Sequence, residues 1–437
     1  MTAVQRLVPL VVVGTLVACG GRPTEVSPAE IPEIQARLER EPQNGELVLR
    51  YAAALFSADR CDTAVATARA GMRLAPGKAV GPLIVGQCLE QAGDPTQAIG
   101  VYRAYVATFP DAPGVSAVRA REMLAVRAQA TNLARAALQQ ETQLTAASAD
   151  PQAVAVLPLQ ITGDSTYLPL SRGLAQIMTS DLGLLQRFRM VERMRIGALL
   201  DEIQFSQGQR VDPSTSARVG RLMQAGRLVQ GLAAIPDERN VRLEASVVRA
   251  SGEVTGPEST TGRFRDLLQM EKQIVIGLAA QLGYTLSEAE RQTILENGTE
   301  SLAAFLAYSS GLVAEDLGDF SAAAAYYSQA VQSDPGFQAA RQGYQANQSA
   351  PTVQQASAGQ VTTVAAQTVE PPSAADPVGD AIGSTVGDVA ATQAEQVADV
   401  TQTVQQASTT TTATPPPPPI TTTVTATGTI RIIFRLP

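Results

Sequence analysis

The stretch MVERMRIGALLDEIQFSQG, residues 190–208, holds two charged pairs that could do chemistry, Glu192-Arg193 and Asp201-Glu202. Glu192-Arg193 stands where a short apolar run ending on Val191 gives way to helical spacing, so it is either a binding element or an ion pair or cap at a joint. Asp201-Glu202 could be an acid-base couple only if both carboxylates faced one substrate. Adjacent helix residues point to different faces, so two solvated carboxylates are the plainer reading. Histidine is absent from all 437 residues, which removes Ser/His/Asp and Cys/His nucleophile arrangements, imidazole metal sites and the usual proton shuttle. Asp164, Asp181, Asp212 and Asp237 have no ligand-like spacing. We therefore expect no catalytic residue, no metal and no cofactor, and read the chain as not an enzyme.

Gly71 to Lys78 (GMRLAPGK) approximates a phosphate-binding loop. It has one intervening residue too many, and Ala79 stands where Ser or Thr should hold a metal. Net charge is −8 and Lys78 and Lys272 are the only lysines, so a nucleic-acid footprint is excluded.

Positioning elements come next. The segment MTAVQRLVPLVVVGTLVACGG has one basic residue and an apolar run from Leu7 to Val13, the build of a secretory signal. Leu16-Val17-Ala18-Cys19 resembles a bacterial lipobox. That resemblance implies a lipoprotein signal peptide at 1–18, lipidation of Cys19, and, with Gly20 rather than Asp following, an outer-membrane anchor on the periplasmic face. Residues 19–42 then read as a tether. Cys61 and Cys88 remain: either a disulfide, which an oxidising compartment permits, or two small buried residues.

Pro76 maps onto Pro110 at a shift of 34, with Ala52 on Gly86, Leu55 on Leu89, Ala64 on Ala98 and Ala68 on Tyr102. The same offsets recur in Gly311, Ala314, Ala323, Tyr327 and Pro335. The pattern resembles the tetratricopeptide repeat, in which small residues let paired helices approach closely. Ala68 departs from it, standing where an aromatic is wanted. The expectation is a solenoid over 43–148, including a capping helix from 116, and a third repeat over 296–344. Leu55, Leu89, Tyr102 and Tyr327 are the candidate protein-binding residues of the repeat faces.

After Pro151 the texture changes. Ala153 to Leu159 (AVAVLPL) is a strand buried on both faces. Helical stripes follow at Leu174, Ile177, Met178, Leu182 and Leu185, at Ile196, Leu199, Leu200 and Ile203, and at Val219, Leu222 and Met223. Leu228 to Ile235 and Val241 to Arg249 predict an antiparallel pair, and Leu267, Ile274, Leu278 and Leu282 a last helix. Together these give a mixed-sheet α/β sandwich over 152–290.

AVAVLPL, MVERMRIGALLDEIQFSQG and ARVGRLMQAGRLVQGLAA together resemble the CsgG-like domain of curli-secretion lipoproteins. Its soluble relatives include the amino-terminal domain of TolB-type proteins. Secretion-channel members carry long insertions that become membrane hairpins. Here the Ile235-to-Val241 connection is five residues, the Gln160-to-Leu170 loop is brief and Gly252 to Arg263 is short and polar. The expectation is an α/β CsgG-like domain combined with an all-α solenoid, acting as a protein-interaction scaffold in envelope assembly or secretion. An oligomeric CsgG-type channel subunit is the alternative. Its partners would be other envelope proteins, reached through the repeats, and the outer membrane through the lipid; homo-oligomerisation stays open. Residues 345–428, rich in Thr, Ala and Pro, read as a disordered linker, and 429–437 as a strand-like end.

Overall fold

A computed structural model describes residues 25–203, 213–369 and 372. The first helices follow one another in antiparallel pairs: α1 (Ile31–Leu38), α2 (Gly45–Ser57), α3 (Cys61–Leu74), α4 (Val80–Gln91), α5 (Pro95–Thr108) and the long α6 (Val115–Gln139). In two of the helix pairs a glycine packs against an aromatic ring. A Cβ on Gly86 would sit 2.2 Å from the Tyr102 ring, and one on Gly311 would sit 2.6 Å from the Tyr327 ring. The pair that lacks the aromatic has Ala52 and Ala68 at the matching positions, both fully buried, so a methyl group replaces part of the missing ring. Asn44 and Asp94 cap α2 and α5 by accepting the backbone N–H groups of Leu47 and Gln97. Cys61 and Cys88 are joined by a disulfide that ties α3 to α4.

Three expectations about this region change. The tether does not run to 42, because Ser27 and Glu30 form a capping box, α1 follows, and Val26 and Ile34 are buried. Leu55, Tyr102 and Tyr327 are buried and Leu89 is partly so, which makes them packing residues within helix pairs. The linker does not begin at 345. After α12 (Leu302–Leu317) and α13 (Phe320–Ser333), α14 runs from Gln338 to Gln355, and a turn at Ala358–Gln360 leads into α15 (Val361–Ala365). The buried positions of α14 are Ala340, Ala346, Asn347, Ser349, Ala350 and Val353, mostly small residues, and those from 346 on fall in the segment that reads as low complexity in the sequence.

Between the two helical sets lies a six-stranded mixed sheet in the order β3-β1-β4-β5-β6, with β2 also on β4. The strands are β1 (Asp150–Val156), β2 (Gln160–Gly163), β3 (Arg189–Met190), β4 (Ala225–Asp237), β5 (Asn240–Arg249) and β6 (Glu258–Gly262). β1, β2 and β3 run parallel to their neighbours, while β4, β5 and β6 are antiparallel. The sequence expectation made Gln160 to Leu170 a loop. Four of those residues form β2 instead, a strand with only Ile161 to announce it. Alternation along β1 splits the core: Val154 and Val156 face α7 (Leu170–Leu184) and α10 (Leu267–Gln281). Ala153 and Ala155 face α8 (Arg193–Glu202) and α9 (Pro213–Met223). α11 (Glu288–Glu296) links α10 to α12. α6 serves two cores, its Val115–Val126 half with α2 to α5 and its Ala134–Leu138 end beneath the sheet. Cys19, the residues from 204 to 212 and the strand-like 429–437 lie outside the described residues.

The disulfide closes a loop of 27 residues. On a chain-entropy argument its reduction costs about 3.5 kcal/mol of stability. Urea unfolding of the chain with and without dithiothreitol, or of Cys61→Ser/Cys88→Ser, checks this; an unchanged midpoint would contradict it.

Candidate functional site: a charged clamp at Glu192-Arg193

Val191 ends the strand by donating its N–H to the Val154 carbonyl at 2.8 Å, and the next two residues leave in opposite directions. Glu192 takes the N-cap position of α8 in an extended conformation, yet its side chain caps nothing. It instead accepts from Arg103 of α5 at 2.5 Å, and Arg103 also holds Glu122 of α6 at 2.8 Å. Arg193, the first residue of α8, reaches α12 and forks onto Glu315 and Asp316. Arg172 of α7 binds the same Asp316 at 2.5 Å. One dipeptide therefore fastens the sheet to both helical sets.

The two halves differ in environment. The Arg103–Glu192 pair keeps 49% and 44% of its side-chain surface exposed, whereas Arg193, Glu315 and Asp316 keep 16%, 10% and 15%. Glu315 is further held by the Tyr327 hydroxyl at 3.2 Å and by Asn347 Nδ2 at 2.7 Å. Its own carbonyl, at the end of α12, accepts from Arg127 of α6 at 2.7 Å. Burial and the Glu315 charge push the Tyr327 hydroxyl far above its ordinary pKa, so it stays a donor.

The same constellation occurs once more. Glu90 stands four residues after Gly86 as Glu315 stands four after Gly311. It accepts from Tyr102 at 2.7 Å and from Arg121 of α6 at 2.9 and 3.0 Å. At Glu90 the arginine comes from the next helix of the stack, and at Glu315 it comes from the sheet side.

The other candidates separate. Asp201 lines a small cleft with Arg172, Arg193, Ser171 and Asp316, of about 50 Å³, room for a few water molecules. Glu202 turns away to Arg135 at 2.8 Å, so the two carboxylates share no substrate. Gly71 lies inside α3 against Leu49, and Lys78 pairs with Glu46 at 2.5 Å, leaving no phosphate loop. Among the described residues no group of three His, Cys, Asp or Glu side chains could hold a metal.

Sequence reading missed one buried cluster. Lys272 Nζ of α10 donates to Asp181 of α7 at 2.7 Å and to the Asn297 carbonyl at 2.8 Å, and Asn297 Nδ2 donates to Asp181 at 2.6 Å. Glu271 is fully buried beside them, 3.9 Å from Lys272. Burial, then the Asp181 charge, pushes the Glu271 carboxyl well above the usual carboxylate range. Burial also raises Asp181, against the pull of Lys272. The available signal was a charged pair, Glu271-Lys272, set within the apolar stripe of α10.

Removing Arg193 leaves two buried carboxylates short of a partner. Arg193→Ala should cost about 3–5 kcal/mol in urea unfolding. Glu192→Ala, at the exposed pair, should cost about 1 kcal/mol or less. Equal costs would contradict the assignment. The Glu271 cluster makes a pH prediction. A raised folded-state pKa gives stability that is complete below the unfolded value and lost as pH rises through the folded one. Glu271→Gln should therefore flatten the decline of stability as pH rises above the ordinary carboxylate range, and gain on the parent chain toward the alkaline side. Parallel profiles in urea would contradict it.

Comparison with known proteins bears on the sheet region. Residues 136–244 match the family model described as curli production assembly/transport component CsgG. That span runs from the end of α6 to the middle of β5 and stops short of the 152–290 expected from sequence. No curated protein matches the chain. A solved structure, that of Naa15/Naa10 bound to HypK-THB, aligns at 11% identity and a TM-score of 0.19, covering 78% of this chain and 42% of that one. So low a score carries nothing about fold or function, and this chain spans less than half of that chain's length. The likeness to the curli production assembly/transport component is thus confined to residues 136–244, which carry β1 to β4 and the first half of β5.

Proposed function

We propose that the chain is an outer-membrane-anchored periplasmic lipoprotein that acts as a protein-interaction scaffold in envelope assembly or secretion. The CsgG domain ties it to that process. The observation that carries the scaffold reading is the clamp, which fixes the sheet between two sets of helix pairs and so presents both at a set geometry. In this reading the 34-residue helix pairs are tetratricopeptide repeats that receive partner proteins, and Cys19 bears the lipid. Further support comes from the connections within the sheet. β4 and β5 are joined through Glu238 and Arg239 alone, and β5 and β6 through residues 250–257. Neither could supply strands of about 9–11 residues for a membrane hairpin. Among the described residues no helix is long and apolar enough to cross a membrane.

Two measurements test the proposal. Palmitate labelling in cells should vanish in Cys19→Ala, and the variant should move from the membrane pellet to the soluble periplasmic extract; persistent labelling would defeat the anchor. In-cell crosslinking of the full chain should give adducts with other envelope proteins. Detergent-extracted rings of this chain alone that conduct ions would replace the scaffold with a channel subunit.

A further inference from the structure

The inner helices α2, α4 and α6 form a trough, and it is filled by the chain itself. The turn Ala358–Gln360 packs on α2, and α15 lies against α2, α4 and α6. Val361, Val364 and Ala365 are buried there, at i, i+3 and i+4, one face of a helix. The Val26 N–H donates to the Gly359 carbonyl at 2.9 Å. The Ala365 carbonyl lies so close to Gly114 that a Cβ at that position would stand 1.9 Å from it. The seat is close-fitting but small. α15 has five residues, none charged, and open clefts of about 660 and 640 Å³ flank it.

The same anchors occur again in the sequence. Val386-Gly387-Asp388-Val389-Ala390-Ala391 repeats Val361-Thr362-Thr363-Val364-Ala365-Ala366 at a spacing of 25. All three buried positions are kept, and both changes fall at Thr362 and Thr363, which are only half-buried. The run Thr-Val-Gln-Gln-Ala-Ser, which ends α14 and begins the turn at Thr352–Ser357, likewise returns at Thr403–Ser408. Residues 386–408 lie outside the described residues. The repeat keeps every buried side chain of the docked segment, together with the exposed Ala366, and so keeps what the trough reads.

We propose that the trough is a docking site for short helical segments that present Val, Val and Ala at i, i+3 and i+4, and that α15 is its built-in occupant. The partner is a peptide segment of that chemistry, with polar or charged residues only on its outward positions. The site is self-covered: a tethered ligand acts at an effective concentration of order millimolar, which a free peptide must exceed or which must be removed. This inference is independent of where the chain is anchored.

The probe is a fluorescent synthetic peptide of residues 383–394, titrated against the full chain and against a full-length chain carrying Val361→Asp, Val364→Asp, Val386→Asp and Val389→Asp. The opened chain should bind it at least tenfold more tightly than the parent, and a peptide carrying Val386→Asp and Val389→Asp should bind neither. Equal affinity for both chains, or binding of the Asp peptide, overturns the proposal. Should the opened chain lose its helical circular dichroism, hydrogen exchange on the unaltered chain decides. Excess peptide should speed exchange at the amides of residues 362–366, and unchanged exchange there overturns the proposal.

Discussion

A guanidinium cannot be taken out of water without partners that match its planar fork, and Arg193 has them in Glu315 and Asp316 at the end of α12. Those carboxylates are themselves desolvated, so each group requires the others. Arg172, Tyr327, Asn347 and Arg127 complete the set around them. Much of the architecture follows from this constraint. α8 must begin where the strand β3 leaves it, α12 must end at the same point, and the sheet thereby takes the place that a further helix holds at Glu90 and Arg121. A lysine at 193 would carry the charge but not the two-pronged geometry.

Glu192 has a different weight. Its partner Arg103 is half-exposed and shared with Glu122, so the link orients α5 against the sheet without adding much stability. The pair as a whole is thus one strong tie and one weak one. The same contrast separates Asp201 from Glu202, which look alike in sequence and end in different surroundings. Where desolvation is deep, at Glu271 and Asp181, the charge state itself becomes part of the fold.

The sequence made legible whatever depends on local period. The apolar run of β1, the stripes of α7, α8, α9 and α10 and the β4–β5 pair stand where their spacing put them, because burial of one face writes a period into the chain. The offsets Gly86 to Tyr102 and Gly311 to Tyr327 reported close helix contact for the same reason. What was hidden is long-range or unpatterned. Nothing near Arg193 announces partners 122 and 123 residues away. β2 offers one apolar side chain, and α14 buries alanine, serine and asparagine with a single valine, Val353, a set that carries little hydrophobic signal. The binding residues assigned to repeat faces, Leu55, Tyr102 and Tyr327, turned inward because large side chains opposite small ones are packing devices first.

α14 and α15 close a core begun three hundred residues earlier. α14 packs on α6, and Val26 is bonded to Gly359. Contacts of such sequence separation cannot form while the chain is still emerging from the ribosome or from a membrane pore. The amino-terminal helix pairs must therefore wait, with the apolar sides of α2, α4 and α6 uncovered, until residues 338–365 arrive. Loop-closure entropy makes that last step slow, and an uncovered apolar trough is what a holding chaperone recognises. The order of synthesis thus leaves this protein half-built and adhesive for most of its birth.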